Sequence, residues 1–456
     1  MASAPGARFD VAAFIDERPI GWREITTLVV VSIVLFIDGF DMYFFGKMLP
    51  AIAEGLGVSP QGMTGVVTAQ QVGMFAGAIV MPPLADRIGR KPVLGLCLLV
   101  FGVLSLWAAY ATTPAMMAWL RGVSGIFFSA MLPVALALLA EMTPRRRRAS
   151  FISIALVCFS GANIASGAMT AWMLDIYGWQ IGFWLGGVLP LIAFPLLLLL
   201  PESLSFRVTR NPADPRIGEA IRRLDRGAGI VGGEVFHLGE SARPVEKLGP
   251  FAMFTGPYRL KTAILFAACF LAMGNIALLA NWLPTYFQEL GGVPIQEFAK
   301  YMMIGFLGGA LGTLTMGRLM DKVNPYTLIA GFFLVDAVAL ASLGYLPTGT
   351  AAFVLGLVLW NFCQVGGQTG INTLATLGYP PEMRSSGIGW AGAMGRIGGI
   401  IFPLVGGLAL GTTLGLQSIM LLIAVPAVIV ALLIVVLGRV ERRNSAARPE
   451  TAAALA

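Results

Sequence analysis

Charged residues are scarce in this sequence. Asp, Glu, Lys and Arg make up 12% of its 456 residues, whereas soluble domains carry about 25%. Hydrophobic residues reach 57%. This balance excludes a soluble enzyme with a single membrane anchor and predicts a polytopic membrane protein.

Histidine and paired cysteine are also nearly absent. The single histidine, His237, lies in a polar segment, so no histidine-based metal site or proton relay is available within the apolar runs. The four cysteines fall in four different apolar runs, without a C-x-x-C pair: Cys97, Cys158, Cys269 and Cys363. We therefore expect no disulfide framework, no metal and no cofactor. An intramembrane enzyme would need a nucleophile–base or metal constellation, which the sequence lacks, so we predict that the protein is not an enzyme.

Long apolar runs dominate what is present. Twelve runs are long enough to cross a bilayer as helices, at roughly 20 residues per span. They lie at about 25–50, 62–85, 91–112, 115–142, 150–173, 180–200, 259–288, 298–320, 325–347, 350–379, 385–411 and 414–438. The first run is too long for the core of a cleavable signal. The predicted fold is an all-α integral membrane protein with twelve transmembrane helices in two six-helix bundles.

The same pattern sets the predicted domain boundaries. They are an N-terminal segment at 1–24, a bundle at 25–200, a polar linker at 201–258, a second bundle at 259–438 and a tail at 439–456.

Basic residues occur in alternate loops. Lys and Arg cluster in the N-terminal segment, the 2–3, 4–5, 8–9 and 10–11 loops, the linker and the tail, whereas the intervening loops contain none. Lys47 and Lys300 approach the neutral side at span ends, where we interpret both as snorkelling residues. The positive-inside rule then places both termini in the cytoplasm. This distribution accounts for the net charge of +7 without a nucleic-acid partner.

The two halves repeat one another. Asp86 in Pro83-Leu84-Ala85-Asp86-Arg87-Ile88-Gly89-Arg90 recurs as Asp321 in the 8–9 loop, at an offset of 235 (321 − 86). Arg148 and Arg384 give an offset of 236 (384 − 148), and Pro50 and Pro284 give 234 (284 − 50). Three landmarks agree within two residues, which indicates a duplicated six-helix unit. Transporters built from such repeats bind substrate near the midplane, where the halves meet.

Two carboxylates lie near the middle of the first span. Asp38 and Asp41 are spaced i, i+3, so they share one helix face. Each costs about 2.5–3.5 kcal/mol to insert at the bilayer centre, so such residues usually face a protein interior or a water-filled cavity. Their positions in the second half hold Met273 and Ile276, so the acidic pair belongs to the first half alone. A structural pair satisfied by neighbouring helices is the alternative.

Arg396, in the eleventh span, is similarly unrepeated, and its surroundings are rich in glycine. A guanidinium there offers bidentate geometry for a carboxylate. An ion pair with Asp38 or Asp41 that only holds the halves together is the alternative. Arg121, in the fourth span, could meet Asp41.

Further polar and aromatic residues complete the predicted site. Asn361, Gln364, Gln368 and Asn372 follow a helical period along the tenth span. Such amides can bind substrate or join helices through hydrogen bonds. Asp336, in the ninth span, has no evident partner. The predicted substrate-binding set is Arg396, Arg121, Gln364, Gln368, Asn372, Asn275, Trp282 and Tyr43.

Charged residues at the basic loops are predicted to act in gating. They can latch neighbouring helices while the inner side is closed, and alternating access requires such latches to break. The predicted gating set is Asp86, Arg87, Arg90, Glu141, Arg148, Asp321 and Arg384.

The sequence Asp86-Arg87-Ile88-Gly89-Arg90-Lys91, the twelve spans and the long central linker resemble the major facilitator superfamily. The resemblance covers essentially the whole chain. Pro82 stands where the loop motif usually begins with glycine. Within the superfamily, Asp38-Gly39-Phe40-Asp41 is similar to the Asp-Gly-x-Asp motif of the aromatic acid:proton symporters. Supporting matches are Leu200-Pro201-Glu202-Ser203, Asn281-Trp282-Leu283-Pro284 and Gly395-Arg396-Ile397-Gly398.

This resemblance implies import of a benzoate-type acid, such as a hydroxybenzoate or protocatechuate, across a bacterial inner membrane. It also implies that Asp38, Asp41, Asp86 and Arg396 are essential. We expect Asp38 or Asp41 to carry the coupled proton, Arg396 to hold the substrate carboxylate, and a monomer in the lipid bilayer to be functional. The alternatives are a proton-coupled transporter of a non-aromatic organic acid, a drug/proton exporter and a sensor that binds ligand without moving it.

Overall fold

The computed structural model describes residues 8–224, 234–237, 258–320, 322–377, 379 and 381–446. Twelve helices within these residues are long and apolar enough to cross a membrane, as the sequence predicts. In the first half they are α2 (Trp22–Gly55), α3 (Thr64–Ile88), α4 (Arg90–Ala108), α5 (Pro114–Met142), α6 (Arg145–Tyr177) and α7 (Gln180–Leu198). In the second half they are α10 (Arg259–Glu289), α11 (Ile295–Met320), α12 (Pro325–Leu343), α13 (Ala351–Leu377), α14 (Pro381–Ala409) and α15 (Leu416–Ala446).

Local sequence signals set several helix ends. Thr113 and Asn324 accept hydrogen bonds from the first backbone N–H groups of α5 and α12, and a proline follows each cap. Gly89 separates α3 from α4 with a φ of 111°, a left-handed conformation that favours glycine. A single 3₁₀ turn, Pro60–Met63, precedes α3.

The two halves pack in equivalent ways, which confirms the internal repeat. In the first half α2 packs on α6, α3 on α5 and α4 on α7. In the second half the corresponding pairs are α10 with α14, α11 with α13 and α12 with α15.

Glycines provide the closest helix contacts, and they repeat as well. A Cβ on Gly73 or Gly77 of α3 would lie 1.9 or 2.0 Å from a backbone oxygen of α5. Their equivalents in the second half, Gly308 and Gly312 of α11, would meet backbone oxygens of α13 at 2.1 and 2.0 Å. This small-xxx-small spacing lets helix backbones approach where lipid provides no hydrophobic driving force.

The N-terminal segment and part of the linker fold together into a small domain, which we call the cap. It contains β1 (Arg8–Asp10), α1 (Val11–Glu17), α8 (Leu204–Arg210), α9 (Pro215–Leu224) and β2 (Val235–His237). The two strands pair in parallel, and Val11, Ile217 and Phe236 are buried in a core of their own. The described parts of the N-terminal segment and of the linker therefore share a packed core.

The cap is fastened to the first bundle. The Asp16 carboxylate accepts a hydrogen bond of 2.8 Å from the backbone N–H of Arg145 and lies 3.3 Å from its Nε atom. Arg146 donates to the carbonyl of Arg18, and Arg210 donates to the carbonyl of Arg87. These contacts attach the cap to the first half.

The two halves meet mainly on the side whose loops lack Lys and Arg, called here the neutral side. A Cβ on Gly46, near the end of α2, would lie 2.0 Å from the carbonyl oxygen of Ala280 on α10. Near the end of α6, Asp175 accepts a hydrogen bond of 2.5 Å from Gln296 on α11. Toward the opposite, basic side, the amide-bearing face of α13 changes from buried Asn361 through half-buried Gln368 to exposed Asn372. The molecule is thus closed on the neutral side and open toward the basic side.

Candidate functional site

The two aspartates of the first span have different surroundings. Asp41 accepts two hydrogen bonds from the guanidinium of Arg121, at 2.9 and 2.8 Å, and both side chains are 1% exposed. Gln70 accepts from the Nε atom of Arg121, whose guanidinium carbon lies 4.5 Å from the ring centroid of Phe45. The predicted meeting of Arg121 and Asp41 is confirmed. In this state the pair satisfies itself, so Arg121 is not available to a substrate.

Asp38 has no such cation. It is 4% exposed, and its buried Oδ1 atom lacks a hydrogen-bond partner among the described residues. Gly39, the next residue, lets α2 approach α6 closely, because a Cβ there would lie 2.3 Å from the carbonyl oxygen of Phe159. The glycine of the Asp-Gly-x-Asp motif is therefore required by packing.

Arg396 is exposed on α14. It shares a helix face with Gly399 and Gly407, at spacings of three and eleven residues. The Gly399 carbonyl accepts a hydrogen bond of 2.6 Å from Gln71 on α3. A Cβ on Gly407 would lie 2.2 Å from the hydroxyl oxygen of Thr64, also on α3. Arg396 thus lies on the face turned toward the first half, nearer the basic side than these contacts.

The alternative in which Arg396 pairs with Asp38 or Asp41 is wrong for this state. Asp41 is already occupied by Arg121, and no ion pair of Arg396 forms among the described residues. The exposed guanidinium is free to bind an anion.

Trp282 does not line a cavity, in contrast to the prediction. Trp282 is fully buried between α10 and α14, where its indole N–H donates to the carbonyl of Pro403 at 2.8 Å. In this state it packs helices and does not face a cavity, because burial and a satisfied donor leave nothing for a ligand. Tyr43 is half-buried, and its ring lies 5.4 Å from that of Phe306 on α11.

The amide stripe on α13 divides between structural and accessible positions. Gln364 is buried between Asp336 on α12 and Ala272 on α10. With its amide nitrogen toward Asp336, it donates to both carboxylate oxygens, at 3.1 and 2.7 Å. With the opposite orientation, it donates to the carbonyl of Ala272 at 3.3 Å. The sequence indicated no partner for Asp336; in the first of these orientations, Gln364 is its hydrogen-bond donor.

Two of the remaining amides have polar atoms that could hydrogen-bond a ligand. Gln368 donates to Asn372 at 3.0 Å, and its Oε1 atom is buried without a partner among the described residues. Asn275 on α10 is 2% exposed, and neither atom of its amide has a hydrogen-bond partner in the same described part of the chain. Unpartnered buried amides are costly, so these positions suit groups that gain a partner when a ligand is present.

Comparison with known proteins identifies this architecture. The model of the Major Facilitator Superfamily matches residues 31–403. The chain belongs to this superfamily. A gallate transporter of Pseudomonas putida is 34% identical over 442 residues, which cover 97% of this chain and 98% of the relative. The 4-hydroxybenzoate transporter PcaK of Pseudomonas aeruginosa is 30% identical, over 96% of this chain and 98% of the relative. A 3-(3-hydroxy-phenyl)propionate transporter of Escherichia coli is 31% identical, over 87% of this chain and 90% of the relative.

Solved structures show the same fold. A bacterial homolog of the human lysosomal transporter Spinster, solved inward-facing and unoccupied, superposes with a TM-score of 0.72 at 16% identity, covering 92% of this chain and 98% of that chain. The inward-open xylose transporter XylE of E. coli gives 0.71 at 14% identity, covering 90% and 95%. The family resemblance inferred from the motifs is confirmed. The protein is a multi-pass membrane transporter, and its bacterial relatives agree with a bacterial inner membrane.

The residues predicted to act in gating fall into three groups. Arg90 and Glu141 form an ion pair at 3.1 Å, which ties the start of α4 to the end of α5 within the first half. Arg148 donates to the carbonyl of Thr143 at 3.4 Å, and Arg87 is exposed. The side chains of Asp86 and Arg384, and all of Asp321, lie outside the described residues. The latch seen here therefore joins helices of one half.

A half-buried carboxyl group lies beside this ion pair. Glu202, just after α7, accepts hydrogen bonds from the backbone N–H groups of Ser203 and Lys91, at 3.0 and 3.4 Å. Burial raises the pKa of the Glu202 carboxyl, and the backbone donors oppose that shift. The Leu200-Pro201-Glu202-Ser203 motif thus anchors the end of α7 to the 2–3 loop.

The interpretation of Lys47 as a snorkelling residue is wrong. It is 2% exposed and hydrogen-bonded within the protein, so it does not snorkel. The repeat contained the signal, because the equivalent position in the second half is an uncharged residue, Trp282. A charge present in only one half is the same pattern that identified Asp38, Asp41 and Arg396.

Proposed function

We propose that this protein is a proton-coupled symporter that imports an aromatic carboxylic acid, such as a hydroxybenzoate, benzoate or protocatechuate, by alternating access. The names of its full-length relatives support the substrate class: gallate, 4-hydroxybenzoate and 3-(3-hydroxy-phenyl)propionate are all aromatic carboxylic acids. One observation supports the mechanism most directly: the first half has an acid without a paired cation, Asp38, and the second half has an exposed arginine, Arg396.

Asp38 is the group we assign to the coupled proton. A carboxylate buried without a cation is strongly disfavoured, so such a group binds a proton readily. Asp41 has Arg121 to compensate its charge, and Asp38 has no equivalent partner among the described residues. The proposal therefore separates the roles of the two aspartates: Asp38 exchanges the proton, and Asp41 holds Arg121 in place.

Arg396 is the group we assign to the substrate carboxylate in the state open to the basic side. Its exposure leaves the guanidinium available, and its planar donors match both oxygens of a carboxylate. Gln368, Asn372 and Asn275 lie on neighbouring helices of the same half and can hydrogen-bond ring hydroxyl groups.

Charge balance follows from this arrangement. One monoanion moving with one proton is electroneutral, so the pH gradient alone drives uptake. A second proton would add about 2.3 kcal/mol per 100 mV of membrane potential.

The test is uptake of labelled 4-hydroxybenzoate or gallate into proteoliposomes with an imposed pH gradient. Wild-type protein should accumulate the acid when the outer solution is the more acidic, and the label should be recovered chemically unchanged. Asp38→Asn should exchange substrate in counterflow but lose accumulation driven by the gradient. Arg396→Met should weaken both, because substrate on the basic side loses the partner of its carboxylate. Glu289→Gln, which removes an exposed acid at the end of α10, is the matched control and should behave as wild type.

Each rival function predicts a different outcome. Gradient-driven accumulation by Asp38→Asn would contradict the proton assignment. Net outward movement of substrate against its gradient would indicate an exporter, and binding without counterflow would indicate a sensor. Competition by aliphatic acids, without competition by aromatic ones, would indicate a transporter of a non-aromatic organic acid.

A further inference from the structure

Lys47 is a buried cation whose partners are all neutral. Its ammonium group donates to the carbonyl oxygen and the side-chain oxygen of Asn163, both at 2.9 Å, and to the hydroxyl oxygen of Ser166 at 2.7 Å. These bonds use all three donors of the ammonium group. No described carboxylate forms an ion pair with it. A buried charge without an opposite charge is costly even when it is hydrogen-bonded.

Asn163 supplies a second observation at the same place. Its side chain is 1% exposed, and its Nδ2 atom is buried without a hydrogen-bond partner among the described residues. This N–H donor faces the Tyr43 hydroxyl and lies on the same amide that binds the Lys47 ammonium. If the Lys47 ammonium exchanges one of its neutral partners for a carboxylate oxygen, the adjacent amide N–H can serve the other oxygen.

Aromatic rings surround this pair of donors. The Lys47 Nζ atom lies 6.0 Å from the ring centroid of Tyr43 and 5.8 Å from that of Phe306. The ring of Tyr43 also lies 5.9 Å from that of Phe159. Phe306 belongs to the second half, so the group spans the interface between the halves. The surroundings of the cation can therefore accept an aromatic ring as well as a carboxylate.

Lys47 and Arg396 lie at different depths across the membrane. Lys47 lies roughly two helical turns before the end of α2 at Gly55, and Arg396 roughly three and a half turns before the end of α14 at Ala409. At a rise of about 5.4 Å per turn, they lie about 12 and 20 Å from the neutral-side ends of their helices. One cation is thus nearer the closed side and the other nearer the open side.

We infer that Lys47 and Asn163 form an outer anchor, which binds the substrate carboxylate when the neutral side opens, before Arg396 receives it from the basic side. The inference rests on the proposed function. Opening the neutral side separates α11 from α2 and α6 and uncovers the ammonium. A bound carboxylate then neutralises the charge that must be buried when α11 closes again. Because a paired charge is easier to bury than an unpaired one, the substrate anion favours closure.

The experiment compares the two faces of the membrane. KM for labelled 4-hydroxybenzoate is measured for uptake from the neutral face and, in inverted vesicles, from the basic face. Lys47→Met should raise the neutral-face KM about tenfold or more, the usual effect of losing a charged hydrogen bond, with the basic-face KM within about twofold of wild type. Arg396→Met should give the opposite asymmetry. Lys47→Arg keeps the charge and should retain most of the neutral-face affinity.

Specificity gives a measurement that a merely structural role would not change. Wild-type uptake from the neutral face should be inhibited by unlabelled 4-hydroxybenzoate far better than by 4-hydroxybenzamide, which has no negative charge. Lys47→Met should reduce that preference about tenfold. Lys300→Met, which removes an exposed lysine near the same side, is the matched control and should keep it. If Lys47→Met does not fold, Asn163→Ala tests the same anchor, with the same direction of change.

The inference is overturned if Lys47→Met keeps the wild-type neutral-face KM and acid preference, or if both faces lose affinity equally. Failure of the proposed function has a different signature, because wild-type protein would then transport no aromatic acid. In that event the same comparison, made with whichever carboxylate the wild type does transport, decides the role of Lys47.

Discussion

At the scale of single residues, the acidic pair of the first span separates into two unlike groups. The spacing of Asp38 and Asp41 predicts a shared face, which the helix provides, but it does not predict which acid receives a cation. That depends on where α5 crosses α2, since Arg121 is 80 residues away in sequence. Local periodicity carries no information about such a crossing.

The Asp41–Arg121 pair should be costly to break from either side. Asp41→Asn leaves a buried guanidinium without its counter-charge, so we expect a loss of about 3–5 kcal/mol in the free energy of unfolding. Asp38→Asn is nearly isosteric at a site without a cation, so its loss should be much smaller. Unfolding of the purified protein in detergent by denaturant or heat measures both.

A double-mutant cycle separates the pair from general damage. Combining Asp41→Asn with Arg121→Gln removes both charges. The free energy of unfolding of the double variant should therefore fall by less than the sum of the two single decreases. Additive losses would show that the two side chains do not stabilise one another.

Lys47 shows that the position of a residue in a span does not identify its partners. A lysine close to a span end usually snorkels, and that rule failed because Asn163 and Ser166 of α6 meet its ammonium inside the bundle. Arg396 was identified correctly as unrepeated, but its freedom from Asp41 depended on the position of Arg121. In both cases the missing information was the identity of a partner on another helix.

At the scale of elements, the twelve spans and their duplication follow from the sequence because hydrophobic length and loop charge are local properties. The cap does not follow in this way. Its two short strands pair across the whole of the first bundle, from Arg8–Asp10 before it to Val235–His237 after it. Neither strand has a periodic pattern long enough to predict it, so the N-terminal segment and the linker looked like independent polar stretches.

Glycine contacts between the halves should control conformation, and those within a half should control stability. Gly46→Ala places a Cβ against the backbone of Ala280 across the interface, so it should disfavour closure of the neutral side and lower uptake severalfold. Gly73→Ala meets the backbone of α5 inside one half and should instead lower the melting temperature. Gly161→Ala has open space and is the matched control.

Thermal unfolding and cysteine labelling distinguish these outcomes. A cysteine at Asn372, on a background without the native cysteines, should react with an impermeant maleimide more slowly in Gly46→Ala than in wild type. Unchanged labelling together with a lowered melting temperature would place Gly46 with the purely structural glycines.

At the scale of the whole molecule, the sequence predicts an orientation, and the structure presents one arrangement of the halves in the proposed transport cycle. A sequence that supports alternating access must stabilise two arrangements of the same halves, so composition and repeats cannot indicate which one is observed. The state is evident only from where the halves touch, at pairs such as Gly46 with Ala280 and Asp175 with Gln296.

The predicted orientation is tested with reporters fused at the C-terminus and in the neutral loop between α4 and α5. A fluorescent protein after Ala456 should be fluorescent in bacterial cells, and alkaline phosphatase at that position inactive, because the basic loops are expected in the cytoplasm. Alkaline phosphatase inserted in the neutral loop near Thr113 should be active. The reverse pattern would invert the direction assigned to every step of transport.

The cap also provides a fixed reference for single-molecule optics. Because Asp16, Arg146 and Arg210 attach it to the first bundle, a fluorophore on its exposed Thr209 would report the position of that bundle without touching the transport path. A second fluorophore on the basic-side end of α15 would report the other bundle. Energy transfer between the two dyes then follows the rocking of the halves in real time, turnover by turnover, at a site where labelling leaves the proposed transport residues unchanged.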